Sequence, residues 1–273
     1  MAAQTTSKSR ARNLRTALRY GLIVAGVTAT LTAGIYTSQK FQQFMLRDPR
    51  FFLPGPSDYG FESPNLELDG VKFASRAQIL RLFEHDYGRS LYLFPMTERR
   101  VALLNIRWVR DASIQRIWPN RIVVRIAERQ PVAFIKLQGD SMTRWALIDD
   151  EGVILDPPPK APFQLPVLGG IQPRDNQDLR GRRVRRVLRL MKDLGGLSKN
   201  VSEADAGDLD NLKITEQLEG SAVVLMLGDH NFASRLQNFL DHFADIHHKM
   251  PSATSFDLRL DDRITALEAG DDR

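Results

Sequence analysis

The stretch Arg116–Ala133, RIWPNRIVVRIAERQPVA, constrains this chain more than any other. Trp118-Pro119-Asn120-Arg121 reads as a turn, because Pro119 fixes its own φ and moves Trp118 out of the helical region. After the turn Ile122, Val124 and Ile126 point one way, and Val123, Arg125 and Ala127 the other. That alternation predicts a strand with one apolar and one mixed face. Val109–Gln115 reads as its partner, with Ala112 and Ile114 on one side. Pro131 cannot donate to a sheet ladder, so Glu128–Pro131 should stop the strand. Val124 and Ile126 belong in a small core, and Trp118 should cover the turn and help fill that core.

Charge is placed unevenly. The chain carries 38 Lys and Arg against 33 Asp and Glu, a net +5. Lys8, Arg10, Arg12, Arg15 and Arg19 supply that excess before any acid appears, which leaves 33 against 33 beyond. The folded part therefore offers no net field for a polyanion, and no nucleic-acid partner is expected. Residues 1–19 form a basic tail too poor in apolar residues to pack a core, so disorder is expected there. Tyr20–Gln39 carries no charge, and twenty helical residues rise about 30 Å, a bilayer's hydrocarbon thickness. Gly21, Gly26, Gly34, Thr28, Thr30 and Thr32 make it weakly hydrophobic. It is read as a single membrane anchor over 20–39, with a cleaved signal peptide and a buried core helix as alternatives. The basic flank keeps the N-terminus cytoplasmic, so everything after residue 40 should lie outside the inner membrane. Residues 40–64 hold Pro49, Pro54, Pro56 and Pro64 without periodicity, and read as a linker. Phe41, Phe44, Phe51 and Phe52 either touch the membrane interface or dock on the next domain.

Beyond the linker, Leu66–Val71 begins as an alternating strand. Ser75 and Gln78 form a capping box for a helix running to about Tyr87. Thr97 is placed to cap a second helix carrying Val101 and Leu104. With the hairpin this gives strand–helix–helix–strand–strand over 65–131. Val132–Leu137, Trp145–Ile148 and Val153–Leu155 read as short strands, with Asp150-Glu151-Gly152 as a turn. Residues 178–194 read as a helix with Val184, Val187, Leu188 and Met191 on one stripe. Arg182, Arg183, Arg185, Arg186 and Arg189 are read as its solvated face. Leu209–Ile214 and Ala222–Leu227 read as strands, and Asn231 to about His247 as a helix with Phe232, Leu236, Phe239, Leu240 and Phe243 at core spacing. Ser255–Leu260 and Ile264–Leu267 are the last strands, and 269–273 a polar disordered end. The fold class is therefore α+β. A single transmembrane helix precedes the 65–131 domain, and a mixed or antiparallel β-domain with flanking helices follows over 132–268.

No catalytic constellation stands out. The chain lacks Gly-x-Ser-x-Gly, His-Glu-x-x-His and a Gly-Lys-Ser/Thr phosphate loop. With no Cys it has no disulfide, no thiolate nucleophile and no thiolate metal site. His242, His247 and His248 are spaced so that no two share a helical face at three or four residues. No metal, cofactor or enzymatic activity is expected.

The pattern Arg-x-Trp-Pro, an apolar strand, then Glu-Arg-x-Pro-Val-Ala over Arg116–Ala133 resembles the end of the POTRA domain in the FtsQ/DivIB family of bacterial cell-division proteins. Leu147–Val153 and Leu165–Gly170 resemble the opening of that family's β-domain. The resemblance implies a single-pass inner-membrane scaffold at the division septum. Its exported part would bind FtsB-like and FtsL-like bitopic proteins and help regulate septal peptidoglycan synthesis. The alternative is an envelope enzyme, or enzyme cofactor, acting on peptidoglycan. In the family the partner adds to the last strand of the β-domain, and Phe256-Asp257-Leu258-Arg259-Leu260 resembles that strand. Leu260 stands where an aromatic is usual, and Arg263 where a turn Gly is common. The resemblance assigns Arg235, Phe239, Phe256, Leu258, Leu260, Ile264 and Thr265 to the partner site, with Arg235 facing an acidic partner residue. Ser255–Leu267 is expected to be an exposed edge, since no later element in the sequence remains to cover it. Pro at 264 or 265 should then remove a main-chain donor.

Overall fold

The computed structural model describes residues 5–56, 62–138, 143–159 and 163–267. The expected polar end at 269–273 lies outside them. The contacts divide the chain into two units. The first holds the chain up to Gly70, Ser75–Leu103 and Ala112–Ile126. The second holds Val71–Ala74, Leu104–Asp111 and everything from Ala127.

The first unit begins with helix α1, Thr5–Arg47. Residues 5–19 are therefore helical, against the expectation of disorder drawn from their composition. They continue a helix whose propagation adds a hydrogen bond per residue fixed. No helix among the described residues is long and apolar enough to cross a membrane. The glycines and threonines of the uncharged stretch are the reason. The four described threonines there turn their hydroxyls inward: Thr28, Thr30, Thr32 and Thr37 each donate to carbonyls three and four residues back, at 2.9–3.0 Å.

The linker also departs from expectation, because it packs. Asp48 caps a 3-10 turn over Pro49–Phe51. Phe52 bridges to Ser90, and Leu53 is fully buried. The Ser90 hydroxyl donates to the Met45 carbonyl at 2.6 Å. Strand β1 (Leu66–Asp69), α2 (Arg76–Arg81), α3 (Met96–Leu104), β2 (Val109–Ile117) and β3 (Arg121–Glu128) follow in the expected order. Ser75 caps α2 by accepting from the Gln78 N–H. Helix α3 starts before Thr97, so that residue lies inside the helix and does not cap it.

The sheet runs β1-β3-β2, with β1 parallel to β3. Ile122, Val124 and Ile126 are buried as the alternation requires, and Val123 is buried as well. Gly70 at φ +79 lies so close to Ile126 that a Cβ would sit 2.0 Å from its carbonyl oxygen. Trp118 departs from its expected place: it is 46% exposed, and the Trp118–Pro119 peptide is cis. Its ring meets Phe51 edge-on at 6.0 Å and carries the Arg116 guanidinium, so it lies on the surface and fills no core.

The second unit is built on a mixed nine-stranded sheet, ordered β12-β11-β10-β9-β8-β7-β4-β5-β6. Strand β4 is Pro131–Gln138, so Pro131 both ends one strand and opens the next, at a register shift before Ala133. Strands β5 (Thr143–Asp149), β6 (Ile154–Leu155) and β7 (Val167–Gly169) precede α4 (Gln177–Leu194). Strands β8 (Val201–Asp205), β9 (Leu212–Leu218) and β10 (Ser221–Gly228) then lead to α5 (Phe232–Lys249), β11 (Ser255–Asp257) and β12 (Thr265–Ala266). The β4–β7, β7–β8 and β10–β11 pairs are parallel. Each needs a crossover: α4 lies within the β7–β8 connection and α5 within the β10–β11 connection.

The core joins β-sheet residues such as Ile135, Ile148, Ile214 and Leu225 with Val184, Val187, Leu190 and Leu194 of α4 and Leu236 and Phe239 of α5. Leu190 and Leu194 face inward and Leu188 is exposed, which rotates the expected stripe of α4 by part of a turn. Its arginines are more than a solvated face. Arg180 donates to Gly152 O, Arg183 to Gly170 O and the Asp175 carboxylate, and Arg186 to Leu209 O and Asp229 O. They tie loop carbonyls to the helix, satisfying acceptors that loops leave open.

One buried group stands apart. Glu216 on β9 is 0% exposed, and neither carboxylate oxygen has a partner. Its register partners are Val201 and Val223. Burial pushes its pKa up. At the other end of the sheet, Arg129 donates to Asp149 at 2.7 Å and to Glu151 at 2.6 Å, and Asp149 is itself buried.

A candidate partner-binding edge

The expected partner residues converge on one corner of the second unit, but in two layers. Strand β10 feeds α5, which returns the chain to β11, parallel to β10 with Leu225 opposite Phe256. Phe239 and Phe256 are fully buried, their rings 5.1 Å apart. Leu258 is buried too, and its N–H donates to Met226 O at 2.9 Å. These three residues are the foundation of the corner and offer no surface to a partner.

Arg235 is also buried, at 7% exposure, where the resemblance implied a cation facing outward. Its guanidinium donates to Leu227 O at 2.7 Å and to Asp261 Oδ1 at 2.8 Å. Gly228 makes room for it: at φ +74, a Cβ there would stand 3.0 Å from Arg235 Nη1. The bond from Arg235 holds the Asp261 carboxyl below its usual range. A second pair, Arg259 Nη2 to Asp257 Oδ2 at 2.7 Å, does the same for Asp257. Arg235, which the resemblance turned toward an acidic partner residue, is thus spent on Asp261 and a carbonyl of its own domain. A cleft of about 390 Å³ opens beside them, lined by Asn231, Ser234, Asn238, Leu260, Arg263 and Ile264, among others.

The outer layer is β12. It pairs antiparallel with β11, Phe256 opposite Ala266 and Asp257 opposite Thr265, and it is the outermost strand of the sheet. The Leu267 N–H donates to Ser255 O at 2.9 Å, which sets the phase of the ladder. Antiparallel pairs alternate between bonded and non-bonded positions. Thr265 and Leu267 therefore turn their main-chain groups toward β11, and Ala266 turns its N–H and C=O outward. Ile264 follows the same alternation as Ala266. This corrects the expectation at Thr265, whose N–H belongs to the internal ladder. Ala266 is the donor that sequence reasoning missed. A strand this short carries no periodicity from which its phase can be read. Leu260 is 54% exposed and Ile264 half-buried at the mouth of the cleft.

No group of three or more His, Cys, Asp or Glu side chains among the described residues is placed to hold a metal ion.

Residues 63–129 match the family model described as a POTRA domain, FtsQ-type, and residues 138–259 that of the cell division protein FtsQ/DivIB C-terminal domain. The chain belongs to the FtsQ/DivIB family. The FtsQ cell division protein of Koribacter versatilis is 32% identical over 74% of this chain and 59% of its own length. That of Novosphingobium aromaticivorans is 30% identical over 76% of this chain and 62% of its own. The alignments thus span about six tenths of these FtsQ relatives. A solved structure, the major extracytoplasmic domain of the trans isomer of DivIB from Geobacillus stearothermophilus, covers 46% of this chain and 96% of its own. Its TM-score is 0.24 at 14% identity, and that likeness bears on neither fold nor function.

Proposed function

We propose that this chain is a membrane-anchored cell-division scaffold whose β12 edge receives a strand from another bitopic division protein, FtsB-like, with an FtsL-like protein in the same assembly. By this reading it helps regulate septal peptidoglycan synthesis and performs no chemistry of its own. The observation that carries it is the outward-facing main chain of Ala266 on the last strand of the sheet. An edge with open N–H and C=O groups is a template for strand addition. Asp257, Arg259, Asp261 and Arg263 around it discourage self-pairing, and exposed Leu260 with half-buried Ile264 supplies the apolar contact beside the cleft. Family membership supports the choice of partner class.

Anchoring through α1 is part of the reading. Hydropathy scales charge each threonine for a bare hydroxyl. In α1 those hydroxyls are satisfied inside the helix, which lowers the cost of placing them in lipid. Five basic residues precede the uncharged stretch, which supports a cytoplasmic side for that end.

The test uses proline. Ala266→Pro removes the outward donor and puts its ring on the open side of β12, where no strand among the described residues stands. The preceding Thr265 is already extended, as a residue before proline prefers. Capture of the bitopic partner from membranes should fall by at least about tenfold, with circular dichroism unchanged. Thr265→Pro should instead disturb the β11–β12 ladder itself. A folded Ala266→Pro chain that captures its partner at full strength refutes the edge as the site.

A further inference from the structure

The first unit carries a surface that the partner-binding edge does not use. It lies where α1 ends and the β2–β3 turn approaches it. Phe44 on α1 meets Phe51 edge-on at 5.4 Å, and Phe51 meets Trp118 at 6.0 Å. The Arg50 guanidinium lies over the Phe44 ring and that of Arg116 over Trp118. Phe41, Phe44 and Trp118 are all about half exposed or more. A cleft of about 330 Å³ between Phe44, Arg50, Phe51, Pro119 and Asn120 opens into this ladder. Lys40 and Arg47 line a neighbouring cleft with Phe44, Arg50 engages the Asp48 carboxylate at 2.7 Å, and Arg116 donates to Phe94 O at 3.1 Å.

The height of this surface above the uncharged stretch follows from helix geometry. That stretch ends at Gln39. At 1.5 Å per residue, Phe41 stands about 3 Å beyond it, Phe44 about 7.5 Å and Arg47 about 12 Å. The polar layer on each side of a bilayer is about 5–8 Å thick. Aromatic rings with arginines folded over them suit that layer: the ring sits at the acyl boundary while the cation reaches phosphate.

We infer that the Phe44–Phe51–Trp118 ladder is a foot by which the POTRA unit rests on the membrane surface, its cations taking anionic phospholipid headgroups. This deepens the anchoring proposed above and rests on it. The foot fixes the orientation of the unit that a bare linker would leave free. It also gives Trp118 a place: a large ring left on the surface at a turn is accounted for by a partner that is apolar below and anionic above.

The experiment uses the full chain in vesicles of phosphatidylcholine and phosphatidylglycerol. Trp108→Phe with Trp145→Phe leaves Trp118 as the one indole, since the chain has three. Lipids brominated near the headgroup end of the acyl chain should roughly halve its emission, and lipids brominated near the chain terminus should leave it unchanged. A chain keeping Trp145 alone should be unaffected by either. Omitting phosphatidylglycerol should weaken the quenching of Trp118. If the double Phe variant does not fold, a probe on a single cysteine at exposed Arg121 gives the same depth, because no other thiol is present. Chain that floats with the vesicles while Trp118 or the probe stays unquenched overturns the foot and leaves the anchor standing. Chain that does not float with vesicles overturns the anchor, and the foot with it.

Discussion

Glu216 offers the sharpest test of the second unit. Its carboxyl group is wholly buried between Val201 and Val223, on the face that also carries Leu212 and Ile214, with no donor for either oxygen. A buried polar group without a partner costs about 1–3 kcal/mol in proteins, and an ionised one costs more. Glu216→Leu fills nearly the same volume with apolar atoms and should therefore stabilise the sheet by about 1–3 kcal/mol near neutral pH. Glu216→Gln removes only the ionisation and should gain less. The sign of the pH dependence is set by the raised pKa. Between the ordinary glutamate pKa and the raised one, the folded state holds a proton that the unfolded state has released. Stability is therefore greatest below the ordinary glutamate range and falls as pH rises from there through the raised folded pKa. Both variants should flatten that slope. Hydrogen exchange of peptides spanning β8–β10 reads the local stability directly, and the gain from Glu216→Leu corresponds to exchange slowed by roughly 5- to 150-fold. If Glu216→Leu exchanges faster than the parent at neutral pH, the carboxylate has a partner in solution and the reasoning fails.

Three further substitutions test the packing of the two units. Ile126→Asp places a carboxylate in the core of the three-stranded sheet and should cost several kcal/mol, seen as lost exchange protection across β1–β3 with β8–β10 unchanged. Arg129→Ala leaves Asp149, 1% exposed, without its cation and should cost about 3–5 kcal/mol, read as a lower urea midpoint. Asp149 also accepts from the Glu151 and Val153 N–H groups, so Asp149→Ala should loosen the β5–β6 turn as well.

Much of the architecture could be read from periodicity. The β2–β3 hairpin, α4 and α5 all have alternating or helical patterns long enough to define a face. What escaped reading did so for physical reasons. Strand β8 buries only Val201 and Ala204, and a register shift between Val201 and Glu203 breaks its alternation. Strand β7 is three residues long and carries no period. Glu216 sits in a strand of otherwise ordinary composition, and nothing in the letter E announces burial. Arg235 and the arginines of α4 looked like surface charge because their acceptors are carbonyls and carboxylates distant in sequence. At the candidate site, family likeness named residues that the fold gathers at one corner. The ladder then separated residues beneath the edge, such as Phe239 and Phe256, from the one at its rim, Ala266.

The strand order has a bearing on how the protein matures. Strand β12 is held by β11, and β11 reaches β10 across the whole of α5. Contacts closed over long stretches of chain form after local ones, because the loop entropy must be met first. The β12 edge is therefore assembled late, after α5 has seated Phe239 against Phe256 and Arg235 has tied Leu227 to Asp261. A half-folded chain has no rim to offer. Recruitment of a partner by strand addition would then double as a maturity check, admitting to the assembly only copies whose second unit is finished.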